Sequence, residues 1–339
     1  MFHPIVKGAY YEMGHRYGAI LYKHGFKVPE QSNEKLEFGR KSEDEVKRVF
    51  LDILEEINGF ANACHSSYEQ ASAFMFSIGA FKALPSCSVF AVSTGSDVVF
   101  GRNYDFFYSF KKYSESYLTC PMEGYWSLGH SDVFIGREDG INEKGLAIGM
   151  TGVEGNAVKP GISFCLALRC VLDKCGTTDE AVRLLTNAHG LMACNYLLAD
   201  RTGNLAVVEA SPDKNRVRRP EEGNNFIVCT NHFVHPEMQD MENQQERQKS
   251  NWDTLPRYAT ICNAIKEQKG RISIDDSQKI LANHTGYVCS HQQKIKLGTI
   301  WSIAATLKQP QILRAEGHPC RTKFKPDPRL SKALKQRGD

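Results

Sequence analysis

Cys87 opens the run Cys87-Ser88-Val89-Phe90-Ala91-Val92, directly after Leu84-Pro85-Ser86. Gly95-Ser96-Asp97 reads as a turn, and Val98-Val99-Phe100 as a returning strand that continues into Gly101-Arg102-Asn103-Tyr104-Asp105-Phe106. In a hairpin the end of the second strand comes back beside the start of the first. Arg102 and Asp105, 15 and 18 positions after Cys87, are then expected near its thiol. Those residue types suit one chemistry. A thiol attacks an amide carbonyl as its thiolate. If Cys87 is the first residue of a mature chain, its α-amine, with an ordinary pKa of about 7.7–8.0, is a base near neutral pH. Asp105 then orients the ammonium, and Arg102 favours the thiolate or holds Asp105. Taken alone, the same residues also fit a core cysteine and a strand-end ion pair.

Further motifs decide between these readings. The Cys87–Ala91 run followed by Gly101–Phe106 resembles the start of the mature chain in the fungal penicillin-forming acyltransferase and its bacterial relatives. It is similar also to choloylglycine hydrolases, penicillin V acylases and acid ceramidase-like amidases. Gly8-Ala9-Tyr10-Tyr11-Glu12-Met13-Gly14, then Gly18, resembles the pro-segment of the acyltransferase branch. Asp139-Gly140-Ile141-Asn142-Glu143-Lys144-Gly145-Leu146 looks like a strand-turn-strand element of the wider group. Asn195 to Asp200, Glu209-Ala210-Ser211-Pro212 and Cys229-Thr230-Asn231-His232-Phe233 resemble the acyltransferase branch, and Gly317-His318-Pro319-Cys320 the end of many bacterial members.

The resemblance implies an α+β fold, the four-layer αββα sandwich of N-terminal nucleophile hydrolases with mainly antiparallel sheets. It implies a precursor that cuts its own Ser86–Cys87 bond, so that residues 1–86 form a helical pro-segment and 87–339 the catalytic domain. Cys87 is the expected nucleophile of self-cleavage and turnover. Arg102 and Asp105 match positions that orient thiolate and α-amine, and Asn231 matches an amide that donates to the oxyanion. Arg257, in Pro256-Arg257-Tyr258, resembles a later supporting Arg. A backbone N–H near Thr151 is a candidate second oxyanion donor. Asn195 either lines the pocket or hydrogen-bonds at a strand start, and Tyr104, Phe106, Phe107 and Tyr108 either line an acyl pocket or belong to the core. The fungal enzyme has Gly where this chain has Ser86, and Arg where it has Ser290.

These residues need elements to hold them. Ser42 and Glu45 read as a capping box ahead of Val46, Val49, Phe50, Ile53, Ile57 and Phe60 at helical spacing. A second helical stretch runs from Tyr68 to Phe81 and breaks at Leu84-Pro85. After Cys87 strands and turns alternate: 195–199 and 205–208 around Asp200-Arg201-Thr202-Gly203, then 226–230, 299–305 and 311–315. Helices are expected from Ser163 to Cys175 and after Thr178. Met238 to Trp252 reads as a polar loop or short helices.

The 339 residues carry 41% hydrophobic and 24% charged side chains, enough for a sizeable core. A net charge of +3 gives no reason to expect a nucleic-acid or membrane partner. No leader or membrane span is visible, which points to a cytoplasmic chain with reduced thiols. The basic tail from Arg321 to Asp339 reads as a solvated end. The 11 cysteines include no C-x-x-C pair, and Cys165, Cys170 and Cys175 recur at a spacing that shares no helix face. His232 with His235, and His284, Cys289 and His291, match no metal-ligand spacing, so neither metal nor cofactor is expected. Phosphate-binding glycine motifs are absent. The expected partner is a small N-acyl amide, cleaved through a Cys87 thioester. Acyl transfer to an amine, a non-maturing binding protein of the same fold and a metal-dependent hydrolase are the rivals; homo-oligomerisation stays open.

Overall fold

The computed structural model describes residues 1–80, 86–246 and 254–338. Its first strand, β1 (Ile5–Gly8), leads into four helices: α1 (Tyr10–Lys23), α2 (Asn33–Phe50), α3 (Ile53–Ala63) and α4 (Tyr68–Phe76). Strands follow: β2 (Ser86–Ser93), β3 (Val98–Phe107), β4 (Glu115–Pro121), β5 (Ser127–Ser131), β6 (Asp139–Asn142) and β7 (Leu146–Gly152). Helices α5 (Phe164–Lys174) and α6 (Thr178–Asn187) precede β8 (Cys194–Asp200), β9 (Leu205–Ala210), β10 (Asn215–Arg218) and β11 (Phe226–Cys229). Helices α7 (Thr254–Glu267) and α8 (Ile274–Leu281) lead to β12 (His291–Gln292), β13 (Leu297–Thr306), β14 (Gln311–Ala315), β15 (Lys325–Pro326) and α9 (Arg329–Arg337).

Among the described residues the strands form two sheets. One runs β1-β4-β5-β6-β7-β8-β9-β10; the other runs β11-β2-β3-β13-β14-β15, with β12 on β13. The described pairings are antiparallel except β1 with β4. Side chains alternate along a strand, and here the alternation sorts them into layers. On β2, Cys87, Val89 and Ala91 enter the layer between the sheets, where Ala147, Leu197, Val207 and Ile303 meet them. Phe90 and Val92 face the other way, against Ile261 and Ile265 of α7 and Ile280 and Leu281 of α8. On the far side of the first sheet, Ile148, Met150, Tyr196 and Leu198 pack on α1 to α6. Helices, sheet, sheet, helices: this is the expected four-layer αββα, α+β architecture.

The structure differs from the local reading in four places. The region before Cys87 is not helical throughout, because β1 adds a parallel strand to the first sheet. Ser42 and Glu45 cap nothing: α2 starts at Asn33, where the Ser32 hydroxyl accepts from Lys35 N–H. Ser42 is buried inside that helix, where its hydroxyl accepts from Gly161 N–H at 3.2 Å, and Glu45 pairs with Arg48. The motif is local, and burial against a distant loop overrides it. The basic tail is not merely solvated: Arg314 and Arg329 share Asp327, and Leu330 is buried. The expected helix from Tyr68 ends at Phe76, whereas Phe81 and the break at Leu84-Pro85 lie outside the described residues, as does Trp252 at the end of the polar stretch; Pro236–Met241 forms a 3-10 turn.

Helices α1 and α3 cross so closely that their glycines are obligatory. A Cβ on Gly14 would stand 1.8 Å from the Glu56 carbonyl oxygen, and one on Gly59 2.0 Å from that of Tyr11.

Candidate active site

The β2–β3 register sets Cys87 opposite Tyr104 and Ser86 opposite Asp105, with Arg102 two residues back on the face shared with Cys87. The thiol is fully buried, and Arg102 Nη2 donates to its sulfur at 3.4 Å. Gly149 on β7 makes room for Arg102, since a Cβ there would lie 3.4 Å from its Cδ and 3.2 Å from Val89. The guanidinium has strong anchors across the sheets. Nη1 pairs with Asp139 at 3.2 Å and also donates to the Glu138 carbonyl, and Nη2 reaches the Glu138 carboxylate at 3.5 Å. Asp139 in turn meets His130 Nδ1 at 2.5 Å and accepts from Trp301 Nε1 at 3.0 Å. Burial pushes Asp139 upward, but His130 and Arg102 outweigh it and hold the carboxyl below its ordinary range. Glu138 goes the other way: burial, with Asp132 nearby, lifts it to about 8.

Two residues from outside the hairpin grip the Ser86–Cys87 peptide. Asn231, just after β11, accepts from Cys87 N–H through Oδ1 at 2.9 Å, and from the Ser86 hydroxyl at 3.4 Å. Arg257, in the first turn of α7, donates through Nη2 to Ser86 Oγ at 2.9 Å and to Asn231 Oδ1 at 2.7 Å. Its Nη1 donates to the Cys87 carbonyl and to Ser88 Oγ, the latter at 3.0 Å. Asn231 Nδ2 donates to the Gly152 carbonyl at 2.8 Å.

The structure therefore brings Cys87, Arg102, Asn231 and Arg257 into one contact network. Asp105 belongs to the opposite face of β3 from Arg102. It accepts from the Thr299 hydroxyl at 2.5 Å, and its Oδ2 has no hydrogen-bond partner among the described residues. Burial raises its pKa to about 7 despite Arg257, Thr299 and Arg102. Burial likewise lifts the Cys87 thiol to about 12, more than Arg102 pulls it down.

The four substrate-site candidates are buried, and none of them lines a described cavity. Thr151 and Asn195 pair across β7 and β8 and are fully buried. Asn195 Nδ2 donates to Thr151 Oγ1, Thr230 O and His232 O at 3.0–3.1 Å, and Thr151 Oγ1 donates to Thr230 O at 2.5 Å. Their side chains brace the segment that carries Asn231. Tyr104 stacks on Trp301 with ring centroids 3.8 Å apart and donates to Asp132 at 3.0 Å; Phe106 packs edge-on against Phe110. Asp132 and Phe110 belong to the wall of a cavity of about 510 Å³, together with Tyr17, Leu21, Phe26, Phe74 and Phe134. Tyr104 thus joins the thiol to the cavity wall, as cross-strand partner of Cys87 and donor to Asp132.

Sequence reasoning missed Glu138, Asp139 and His130. Asp139 was visible only as the start of a strand-turn-strand motif; its pairing with His130 across β5 and β6 was the unused signal.

Comparison with known proteins concerns the family and the fold. Residues 92–320 match the family described as acyl-coenzyme A:6-aminopenicillanic acid acyl-transferase. No curated protein matches the chain. Among solved structures, the Caenorhabditis elegans ortholog of N-acylethanolamine-hydrolyzing acid amidase superposes with a TM-score of 0.51 at 16% identity, over 66% of this chain and 94% of that one. Penicillin V acylase from Agrobacterium tumefaciens gives 0.46 at 18% identity, over 68% and 82%. A conjugated bile acid hydrolase variant from Clostridium perfringens gives 0.46 at 15% identity, over 71% and 96%.

Proposed function

The chain belongs to the acyl-coenzyme A:6-aminopenicillanic acid acyl-transferase family, and from that premise we propose that it is an N-terminal nucleophile cysteine amidohydrolase that matures by cutting itself before Cys87. The observation that carries this reading is the grip on the Ser86–Cys87 peptide, with Asn231 on the Cys87 N–H and Arg257 on both the Ser86 hydroxyl and the Cys87 carbonyl. A peptide bond held on both sides, next to a thiol braced by Arg102, suits an N-to-S acyl shift. The Cys87 sulfur attacks the Ser86 carbonyl carbon and the C–N bond breaks. The nitrogen takes the thiol's proton, and the Ser86 acyl group rests on sulfur as a thioester. Water then adds to the thioester, leaving Ser86 with a carboxylate and Cys87 with a free thiol and α-amine. Residues 1–86 become one fragment and 87–339 the other.

Cleavage changes what the thiol meets. Before it, burial raises the thiol to about 12 while Arg102 pulls the other way, so the sulfur attacks Ser86 as its proton passes to the nitrogen. After it, the new α-amine is a base beside the sulfur. Asp105, opposite Ser86 and with one carboxylate oxygen without a described partner, suits an ammonium acceptor. In turnover the thiolate attacks an amide carbonyl, the amine leaves with the proton, and water releases the acid from the thioester. The donor role that the resemblance implies for Asn231 requires its Nδ2 to leave the Gly152 carbonyl, because in the uncut chain the amide meets Cys87 through Oδ1.

The cavity supports a substrate class. Its volume of about 510 Å³ and its aromatic walls suit a fatty or aromatic acyl group on a linear amide. An acceptor amine competes with water for the same thioester, so acyl transfer is a variant read from product partition with added amine. Intact mass of the purified protein tests the core of the reading. Two fragments split before Cys87 are expected from the wild type, and one whole chain from Cys87→Ala. A wild-type chain that stays whole and cleaves no acyl-amino acid, penicillin or conjugated bile acid would overturn it.

A further inference from the structure

Away from the thiol, the donor atoms of His284, Cys289, His291 and Cys320 all lie within 4.8 Å of one another. His291 Nε2 stands 3.4 Å from Cys289 Sγ and 3.2 Å from Cys320 Sγ. A tetrahedral zinc ion, with Zn–S near 2.3 Å and Zn–N near 2.0–2.1 Å, sets ligand–ligand edges of roughly 3.3–3.8 Å. Both distances sit close to that range. Two thiols and two imidazoles form a borderline-soft set that favours zinc over calcium or magnesium. We propose that these four side chains bind one zinc ion as a closed structural site, releasing the two thiol protons to solvent.

The backbone supports such a site. The ligands come from three separate stretches: the loop after α8, the start of β12, and the turn after β14. Cys289 N–H donates to the Asn283 carbonyl at 2.7 Å, folding the first loop back on itself. Gly286 and Tyr287, between His284 and Cys289, both have positive φ. Arg321 and Thr322 N–H donate to the His318 carbonyl around Cys320, and the His318 ring stacks on His291 at 3.8 Å. Four protein ligands leave no open position, so the ion would hold structure rather than activate water. What it would hold lies beside Cys87. Ser290, between two ligands, donates its N–H to Thr299 Oγ1 at 3.1 Å, and Thr299 donates to Asp105 at 2.5 Å. The expectation of no metal rested on a spacing read over His284, Cys289 and His291 alone; the proposed fourth ligand is 29 residues beyond His291 and arrives only through β13 and β14.

The test is made on full-length Cys87→Ala protein purified without chelator, so that it does not depend on self-cleavage. Elemental analysis should find one zinc per chain. Replacement by cobalt(II) should give the absorption of tetrahedral cobalt with thiolate ligands. Cys320→Ser and His291→Ala should lose the metal, while Cys262→Ser, outside the cluster, should keep it. Chelation should lower the melting temperature. Metal-free protein that shows no cobalt spectrum, or a Cys289–Cys320 disulfide found by peptide mapping in freshly purified chain, overturns the proposal. If Cys320→Ser does not fold, metal content and cobalt spectrum of the parent chain still decide.

Discussion

Arg257 Nη2 and Asn231 Oδ1 lie 2.7 Å apart, and both contact the residues on either side of the Ser86–Cys87 bond. One comes from the first turn of α7 and the other from the end of β11, so the grip forms only when both layers of the second sheet's surroundings are in place. The planar guanidinium donates to four oxygens at once, which a lysine ammonium cannot reproduce. Arg257→Lys is therefore expected to fold but to process at least about 100-fold more slowly, the scale of losing an oriented donor. Intact mass of fresh protein against time gives the rate. Processing at the wild-type rate would remove Arg257 from the cleavage machinery.

Asp105 makes a pH prediction whose sign is fixed by its buried carboxyl. Its folded-state pKa is about 7, against an ordinary value of 3.8. Between those values the folded chain binds a proton that the unfolded chain has lost. Stability from this group is full below the ordinary value and is lost as pH rises towards 7, by an amount on the order of 4 kcal/mol. Asp105→Asn keeps an acceptor for the Thr299 hydroxyl and removes the titration. In the Cys87→Ala background, its stability relative to Asp105 should rise from pH 4 to 7 and then level off. Urea melts across that range check it; a difference independent of pH would sink the assignment.

Much of this was legible because it is local. Cys87, Arg102 and Asp105 sit on one hairpin, so turn chemistry and strand periodicity fix their spacing. The three-layer sorting of β2, β7, β8 and β13 likewise follows from alternation. What stayed hidden depends on sequence-distant contacts. Glu138 and Asp139 anchor Arg102 only because β6 faces β3 across the inter-sheet layer. Asn195, open between lining a pocket and hydrogen-bonding at a strand start, donates to Thr151, Thr230 and His232, and the Thr151 side chain donates to Thr230. Ser42 looked like a cap until Gly161 was found on it. A short motif states which bonds a side chain can make, and packing decides which of them it does make.

The cavity wall gives a prediction about substrates. Leu21 on α1 faces the cavity from the segment before Cys87, and Phe110 and Phe134 face it from after. Leu21→Trp should fill volume without touching the Cys87 network. The expected result is a KM raised about tenfold or more for long or aromatic acyl amides, little change for acetyl amides, and unaltered self-cleavage. Kinetics on a graded acyl series check it. Equal loss across the series would place the acyl group elsewhere.

If the chain is cut before Cys87 as proposed, buried contacts are what keep the two parts together. Glu56 on α3 meets Arg169 on α5, with Nη2–Oε2 at 3.0 Å, and Arg169 Nε also holds Asp173 at 3.0 Å. Tyr10 on α1 donates to Asp173 at 3.0 Å. All of these side chains are buried, and they tie elements before Cys87 to elements after it. With β1 paired to β4, they should keep the two fragments associated in native buffer. Burial raises Glu56 above its ordinary carboxyl range even beside Arg169, so desolvation weighs heavily here. Glu56→Ala leaves Arg169 undercompensated and should cost about 3–5 kcal/mol. Glu56→Leu combined with Arg169→Met removes both charges and should recover most of that loss. The urea midpoint of fragment separation, followed by size-exclusion chromatography, reads both variants. If the single variant is as stable as the wild type, the ion pair is not what joins the helices to the sheets. If the double variant is no better than the single, the geometry of the pair matters more than the desolvation it carries.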